Sequence, residues 1–544
     1  SFLNFSPQFN EIKADNLSLT LSTEQGSSWK FLGSKPESQL SFEDAFSNFS
    51  NLSEVNIDNF RINLLKVIES EKNDHIQLDP YKINFKYFKK IKQLSIIQRN
   101  SDFETFNLIL QSNGQMDKKD FKFDAHLNFH QFELTSLLIP FGFSFDVYEV
   151  KDFSGQATLS KEYNKPWAFR LNVDNSFVSK NSNENCCLSN FKIDLAAEYK
   201  DKNNLDLWWN NLQGLWRGYP INFDSAAISF ENKTKLLKLK TPLVNIGQIT
   251  EITKFFNLFS KNIANNLEKL NLNGIAKNLN ISIPLSSIEK TRGNGLLEDF
   301  SMEPWRKVPG VNNLNAYFNF SDLRGSLQVK DQTEFSAYFP KMYKQPFNFN
   351  YFSGRFDWSI SEDRFLISSN NIDFNFDNTS KFSSRFNLNA KNREGGINSQ
   401  LSLEIGVKNG SAKQLKNLLP RNLNKDLLNW LEQSNIEGNI LDGGLIYNGS
   451  LLLGDKRNKS VHFYLNMDKG KLFFNPKYSE LKNIDGLWVM NDSVLNIDLI
   501  SSFYSGVNFD STKIKLNRLD VPPSLSLKSK LSGSLSDAWE VFLE

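Results

Sequence analysis

The sequence of 544 residues contains little cysteine and carries almost no net charge. Its two cysteines, Cys186 and Cys187, are adjacent, and disulfide geometry is hard to meet across one peptide bond, so a scaffold built on disulfides is excluded. The 63 Lys and Arg nearly cancel the 61 Asp and Glu. Because binding to phosphates needs a surplus of basic residues, this balance argues against nucleic acid as the main partner. The same balance, with 40% apolar residues, excludes a disordered chain.

Histidine is also scarce, with four in the chain, and the closest pair is His126 and His130. No cysteine or third histidine lies near this pair, so we interpret both as partly exposed strand residues and expect no metal. No phosphate loop, dinucleotide fingerprint, nucleophile elbow or zinc-protease motif is present, and the carboxylates are scattered. The sequence therefore predicts neither an enzyme nor a cofactor.

Long apolar runs are absent. No stretch reaches the roughly 18 residues that a membrane-spanning helix needs, and the best, at 137–143, is short and broken by Pro140 and Gly142. The first residues do not resemble a secretory signal. The chain starts at Ser1 within a strand-like pattern and ends at 539–544 without a tail. We therefore expect a piece of a longer protein, with an anchor or a signal before residue 1.

What is abundant is phenylalanine, with 48 residues, placed in runs that alternate between apolar and polar side chains. Strict alternation puts the apolar side chains on one face of a β-sheet and the polar ones on the other. We call the apolar members of these runs the candidate floor set. They are Phe121, Phe123, Leu127, Phe129, Phe347, Phe349, Tyr351, Phe356, Trp358, Ile360, Ile372, Phe374, Phe376, Leu401, Leu403, Ile405, Phe463, Leu465, Leu495, Ile497 and Leu499.

Turn-like dipeptides separate the alternating runs over hundreds of residues and predict an antiparallel meander. These breaks are Asn113-Gly114, Glu394-Gly395-Gly396, Asn409-Gly410, Asn448-Gly449, Lys469-Gly470 and Asp485-Gly486.

Two regions depart from the alternation. An apolar stripe at period 3.6 predicts an amphipathic helix at 246–271, and a helical insert is predicted at 411–438, with Gly438 as its stop. Gly and Pro at 285–312 predict a connection between strand-rich stretches. The predicted organisation is one continuous module, divided into sheet segments at 1–245, 313–410 and 439–544, with strand and connection at 272–312.

A sheet with one apolar face must cover that face. A sandwich of this length would need several linkers, and an outer-membrane barrel would hardly carry amphipathic helices in mid-chain. The sequence therefore predicts a mostly β fold, an elongated, curled antiparallel sheet with an open apolar groove and a few amphipathic helices. The candidate floor set would line that groove, which would hold hydrocarbon chains.

Between about 300 and 544 the sequence contains a leucine–proline motif, a tryptophan–leucine motif and glycines at fixed spacing. These motifs are Leu418-Leu419-Pro420, Leu427 to Leu431, Ile436-Glu437-Gly438, Gly443 to Gly449, Leu472 to Phe474, Gly486 and Leu531 to Leu535, with Val308-Pro309-Gly310, Leu323 to Leu327 and Phe339 to Trp358 upstream. In these motifs the stretch resembles the YhdP-type proteins of the AsmA-like group.

The resemblance implies a large Gram-negative envelope protein, held in the inner membrane by an N-terminal helix outside this sequence. It implies a periplasmic β-groove that conducts phospholipids between the inner and outer membranes. The expected partners are phospholipid acyl chains and the two membranes, the latter through regions missing here. The family motifs are structural and bring no catalytic residues.

Two other hypotheses stay open. One is a structural or adhesive β-solenoid with a closed core and no ligand, although no short fixed repeat period is present. The other is a carbohydrate-active β-protein that uses Trp208, Trp209 and Trp216 as a stacking platform, although converging carboxylates are missing.

Overall fold

A computed structural model places the chain in two compact units. Unit 1 is Ser1–Pro242 with Pro284–Ser286, and unit 2 is Leu243–Ile283 with Ser287–Glu544. The residues that the structure describes are 11–24, 30–31, 53–67, 74–77, 80–88, 90–99, 104–132, 148–180, 183–201, 204–255, 261–306, 308–393, 396–418, 435–451, 459–473 and 479–543.

Unit 1 consists of β-strands in its described part. They are β1 (Glu11–Glu24), β2 (Lys30–Phe31), β3 (Glu54–Val67), β4 (Asp74–Gln77), β5 (Tyr81–Phe88), β6 (Ile91–Arg99), β7 (Glu104–Asn113), β8 (Lys122–Phe132), β9 (Tyr148–Glu162), β10 (Trp167–Lys180), β11 (Asn183–Asp201), β12 (Asn204–Trp216), β13 (Tyr219–Glu231) and β14 (Leu236–Asn245), whose last residues belong to unit 2.

From β5 to β14 each strand pairs antiparallel with the next one along the chain, as the meander predicted. The first strands differ, because β1 pairs with β3 in parallel, from Glu11 opposite Glu54 to Glu24 opposite Val67. A parallel pair needs a long connection between its strands, and residues 25–53 supply that length.

All helices of the described residues lie in unit 2. Its helices are α1 (Ile246–Phe255), α2 (Lys261–Leu270), a 3-10 turn (Ile288–Lys290), α3 (Ala412–Asn417) and α4 (Leu535–Leu543). Its strands are β15 (Asn273–Pro284), β16 (Arg292–Met302), β17 (Gly310–Ser321), β18 (Arg324–Gln332), β19 (Phe335–Tyr338), β20 (Phe347–Phe349), β21 (Tyr351–Ile360), β22 (Arg364–Asn375), β23 (Lys381–Arg393), β24 (Gly396–Ser411), β25 (Asn435–Ser450), β26 (Lys459–Phe473), β27 (Leu481–Asn491), β28 (Val494–Tyr504), β29 (Val507–Asn517) and β30 (Ser524–Ser532).

These strands also pair antiparallel in sequence order, with β18 skipping the short β19 and β20 to pair with β21. The predicted fold class, a mostly β protein with an open antiparallel sheet and few helices, is confirmed. Among the described residues, no helix is both long and apolar enough to cross a membrane.

Four of the predicted turns lie inside strands instead. Asn409-Gly410, Asn448-Gly449, Lys469-Gly470 and Asp485-Gly486 fall within β24, β25, β26 and β27. At Lys469 the backbone has φ +50° and the pairing with β27 slips between Met467 and Gly470. Such a bulge needs the same residue types as a turn, so the local pattern cannot distinguish them. Asn113-Gly114 does end a strand, with Gly114 at φ +70°.

The predicted connection at 285–312 was wrong over much of its length, because it contains β16. Gly293 and Gly295 lie in this strand under two rings of β17. A Cβ atom at Gly293 would come within 2.8 Å of the Phe320 ring, and one at Gly295 within 3.0 Å of the Phe318 ring. These glycines therefore make room for aromatic rings rather than for a turn.

The predicted helix at 246–271 corresponds to α1 and α2, with 256–260 outside the described residues. Within the predicted insert at 411–438, α3 is helical and residues 419–434 lie outside the described residues. The expected stop at Gly438 was wrong, because β25 begins at Asn435 and Gly438 lies inside it at φ +131°.

One carboxylate ties the β22–β23 turn to α3. Asp377 Oδ1 accepts hydrogen bonds from the backbone N–H groups of Thr379 (2.8 Å) and Ser380 (2.6 Å) and from both hydroxyls, and Oδ2 accepts one from Gln414. Burial raises the pKa of this carboxyl, but the hydrogen bonds outweigh it and hold the pKa well below its ordinary value of 3.8.

We predict that Asp377→Ala destabilises unit 2 by about 1–3 kcal/mol at neutral pH, because several donors lose a charged acceptor. Because the pKa of Asp377 is lower in the folded state, the ionised carboxylate stabilises the fold fully above pH 3.8, and this stabilisation is lost progressively as the pH falls from 3.8 towards the folded-state pKa. Thermal unfolding should therefore separate the variant from the wild type at pH 7 and less so at pH 3. Glu362→Ala, in the preceding exposed turn, is the control, and an equal gap at both pH values would contradict the prediction.

Candidate functional site

The strand register of unit 1 aligns apolar residues in a row that crosses eleven strands. At the strand spacing of about 4.8 Å, this unit 1 row extends about 48 Å. It comprises Val55, Phe85, Leu94, Leu110, Ala125, Leu159, Phe169, Ala197, Leu207, Ile228 and Leu239, each directly opposite the next.

A second apolar row runs beside it, two residues away along each strand over most of the sheet. It comprises Ile57, Ile83, Ile96, Leu108, Leu127, Ala157, Leu171, Leu195, Trp209 and Ala226.

The opposite face of the same strands is polar. Its row runs Glu54, Lys86, Gln93, Gln111, Asp124, Ser160, Ala168, Glu198, Asp206, Ser229 and Lys238. Exposed ion pairs lie along this face, such as Lys86 with Glu54 (3.4 Å) and Lys200 with Asp206 (2.7 Å). The Lys200 ammonium lowers the pKa of Asp206, which keeps this carboxylate charged. The sheet of unit 1 therefore has one apolar and one charged face.

Unit 2 repeats the arrangement across ten strands. Its apolar row, the unit 2 row, comprises Phe352, Phe374, Phe382, Val407, Gly443, Leu465, Trp488, Ile497, Ile514 and Leu527. On the other face the corresponding residues are Ser353, Asp373, Ser383, Gly406, Gly444, Tyr464, Val489, Asn496, Lys515 and Ser526.

Phenylalanine rings pack closely on the apolar face of unit 2. Phe374 stacks on Phe382 with centroids 5.1 Å apart, and Phe349 meets Phe352 at 5.1 Å and Phe376 at 5.2 Å. Phe374 and Phe376 contact two buried clusters, one around Val329 and Phe352 and the other around Ile440 and Ile484. The apolar surface therefore continues from one cluster into the next.

The structure brings many members of the candidate floor set into these clusters. Phe347, Phe349, Phe356, Ile372, Phe374 and Phe376 belong to or pack on the Val329 cluster, and Phe374, Phe376, Ile405, Leu465, Leu495, Ile497 and Leu499 to the Ile440 cluster. Leu127 and Phe129 join a third cluster, in unit 1, with Tyr81, Phe106 and Phe132.

Other members of the set lie on the same faces through strand pairing. Leu401 is opposite Leu388, Leu403 is opposite Phe386, and Phe463 is opposite Leu445. Phe123 meets Trp167 edge to face at 5.6 Å. Trp358 occupies the space over Gly325, where a Cβ atom would collide with its ring.

Three members have a different setting. Phe121 precedes β8 and is half-buried, and Ile360 ends β21 and is 43% exposed. Tyr351 alternates with the buried Phe352 and its hydroxyl donates to Asp331 at 2.8 Å, so it lies on the polar face. The β20–β21 boundary separates Tyr351 from Phe349, and the alternation changes phase there.

The sequence pattern missed most of both rows in unit 1. Bulges with positive φ at Gln131, Asp152 and Asn211 shift the alternation within single strands. Alanines such as Ala125, Ala157 and Ala197 also weaken the apolar signal. The segment 104–112 does alternate, apart from Ile109, and following its register into the neighbouring strands would have found these positions.

The three tryptophans of the carbohydrate hypothesis do not share a surface. Trp209 lies in the apolar row between Leu195 and Ala226, whereas its neighbour Trp208 lies on the opposite face and is 36% exposed. Trp216 is buried, with the Arg217 guanidinium 5.8 Å from its ring centre. Successive residues of a strand face opposite ways, so Trp208 and Trp209 cannot form one stacking platform.

The two faces should differ in chemical access. After replacement of both native cysteines by serine, we expect cysteines at His130 and Asp498 to react rapidly with a water-soluble maleimide. Cysteines at Phe129 and Ile497, which are 6% and 8% exposed, should react roughly tenfold or more slowly, because only an accessible thiolate reacts. Equal rates at neighbouring positions, measured by mass spectrometry, would contradict the assignment of faces.

The chain is similar in sequence to known proteins. The sequence model of a family described as "YhdP protein" matches residues 1–544. The "Intermembrane phospholipid transporter YhdP" of Escherichia coli (strain K12) is 23% identical over 254 residues, which are 45% of this chain and 20% of that protein. The match thus spans about a fifth of the length of this relative. No solved structure matches the chain.

Proposed function

The chain belongs to the YhdP protein family. We propose that its apolar sheet faces bind the acyl chains of phospholipids and conduct these lipids between the inner and outer membranes. The observation that carries the proposal is the unit 1 row, which is apolar at every one of its positions. The name of the Escherichia coli relative supports the phospholipid cargo.

The apolar face of unit 1 is also partly open. Leu94, Ile96, Leu108, Leu110 and Leu127 are only half-buried, although apolar neighbours flank each of them on the adjacent strands. A half-exposed apolar surface of this extent marks a binding site, since water contact with it is unfavourable. Acyl chains are the matching ligand, because each buried methylene contributes about 0.8 kcal/mol.

The uniformity of the row favours movement over tight binding. Neighbouring positions along the row offer similar side chains, so an acyl chain displaced by one strand meets nearly the same surface. The free energy of the lipid then changes little along the path, while its polar headgroup stays in water, where burial would be costly.

We also propose a location in the periplasm, with an anchor in the inner membrane supplied by a part of the protein outside this sequence. Two membranes separated by an aqueous space require such a path for lipids. The polar face of the sheet, with its exposed ion pairs, suits contact with water.

Lipid retained by the purified chain tests the proposal. We predict that native mass spectrometry finds phospholipid bound to the 544-residue chain, with more than one molecule per chain because the rows span many strands. Protein that carries no phospholipid after exposure to phospholipid liposomes would contradict the proposed function.

A pair of substitutions on each face tests the path. Leu94→Asp with Leu110→Asp places two charges on the apolar face at half-buried positions outside the buried cluster of unit 1. Contact between an acyl chain and a carboxylate that needs water is unfavourable, so these changes should lower bound lipid and liposome-to-liposome transfer severalfold. His126→Asp with Thr158→Asp changes two residues of the opposite face and should leave transfer near the wild-type rate. Equal transfer by both double variants would contradict the assigned face.

These half-buried positions suit the test better than Phe374 and Phe376. Both phenylalanines pack on two buried clusters, and removing a ring from such a cluster costs about 3–5 kcal/mol of folding free energy. Loss of transfer there would not separate the lipid path from the fold.

A further inference from the structure

A third row lies on the apolar face of unit 1. It is next to the unit 1 row at the strand ends, and we call it the rim row. Its members are Tyr87, Lys92, Ser112, Phe123 and Lys161, followed by Trp167, Tyr199, Leu205, Phe230 and Leu237. They face the same way as the unit 1 row because each lies two residues from one of its members.

The rim row differs from its neighbours in charge. In the three rows on the apolar face of unit 1, the charged residues are Lys92 and Lys161, and both are cationic. Each lies two residues from a leucine of the unit 1 row, Leu94 and Leu159 respectively. A lysine on an apolar face costs free energy unless its ammonium group contacts water or an anion.

The two lysines also differ from those on the opposite face in their partners. Lys82, Lys86, Lys122 and Lys200 form ion pairs with carboxylates there. Within the described part of the chain, neither Lys92 nor Lys161 has a carboxylate partner. The Lys161 ammonium donates to the backbone carbonyl of Lys165 in the adjoining turn, which holds it at the strand end.

Amphipathic aromatic residues accompany the lysines. Tyr87 is opposite Lys92, and Trp167 packs on Phe123, which is opposite Lys161. Tyr199, opposite Trp167, is 45% exposed. Tyrosine, tryptophan and lysine are the residues that occupy the boundary between hydrocarbon and headgroups in membranes, because each joins an apolar body to a polar tip.

We propose that Lys92 and Lys161 bind the phosphate of phospholipids whose acyl chains lie on the apolar face of unit 1. This proposal rests on the proposed function and adds the orientation of the lipid, with its headgroup at the rim row and its tails towards the unit 1 row. Ammonium groups bind phosphate as point charges, so the rim accepts phosphate-bearing lipids of different headgroups.

The test compares lipids that differ only in phosphate. The 544-residue chain is incubated with liposomes that contain dioleoyl phosphatidylglycerol, dioleoyl phosphatidylethanolamine and dioleoylglycerol, and is then re-isolated. Bound lipids are quantified by mass spectrometry. Lys92→Gln with Lys161→Gln should retain roughly three- to tenfold less of both phospholipids than the wild type, with dioleoylglycerol unchanged.

The matched control is Lys238→Gln with Lys240→Gln, which removes the same charge from exposed positions of β14 on the opposite face. It should retain all three lipids at the wild-type level. If this control loses phospholipid as strongly as the rim variant, net charge explains the effect and the proposal is overturned.

Other outcomes separate this proposal from the proposed function. Unchanged phospholipid in the rim variant, or an equal loss of dioleoylglycerol, overturns the rim assignment and leaves the acyl-chain site in place. A wild-type chain that retains none of the three lipids overturns the proposed function itself. Glycerol 3-phosphate, which lacks acyl tails, is the last probe. If it binds to the wild type and not to the rim variant, the two lysines form a site for free phosphate and the lipid assignment is overturned.

Discussion

The hydrogen-bonded register between neighbouring antiparallel strands is the constraint on which the rest of this structure depends. A side chain on one strand lies directly opposite one residue on the next, so the register decides whether apolar side chains meet or scatter. Here the pairing carries an apolar position from β3 to β14 without a polar interruption. A slip of one residue at any strand would turn the following side chains to the other face.

Bulges preserve this alignment where the strands would otherwise drift out of phase. The positive φ values at Asn211 and Lys469 mark places where a strand absorbs one residue and regains its partner. The bulges therefore maintain a continuous apolar face in strands of unequal length, and the proposed lipid path depends on that continuity.

The proposed transport and the proposed rim follow from the same sidedness. Burial of apolar surface would bind the acyl chains, and the rows supply that surface evenly. The positive charges of Lys92 and Lys161 at the strand ends would bind the phosphate. A lipid on this face would have its tails and headgroup separated along the strand direction. Movement from strand to strand would preserve that orientation, because each strand offers the same order of apolar positions.

Period-two alternation was enough to predict a mostly β fold and to select residues such as Phe374, Leu465 and Ile497, which share an apolar face. Those residues lie in strands whose alternation is unbroken, and one face of a strand is visible from its own sequence. Gly293, Gly295 and Gly438 were interpreted as breaks, because a glycine that admits a ring or a bulge looks like a glycine in a turn.

The sequence by itself therefore determined that this protein is built from strands with one apolar and one polar side. Only the tertiary structure decided which strands pair, where the bulges lie and hence which apolar residues line up into rows. It also decided that Lys92 and Lys161, which are 69 positions apart in the sequence, share one edge of one face. The physical reason is that side-chain alternation is local to a strand, whereas register is fixed by hydrogen bonds between segments distant in the chain.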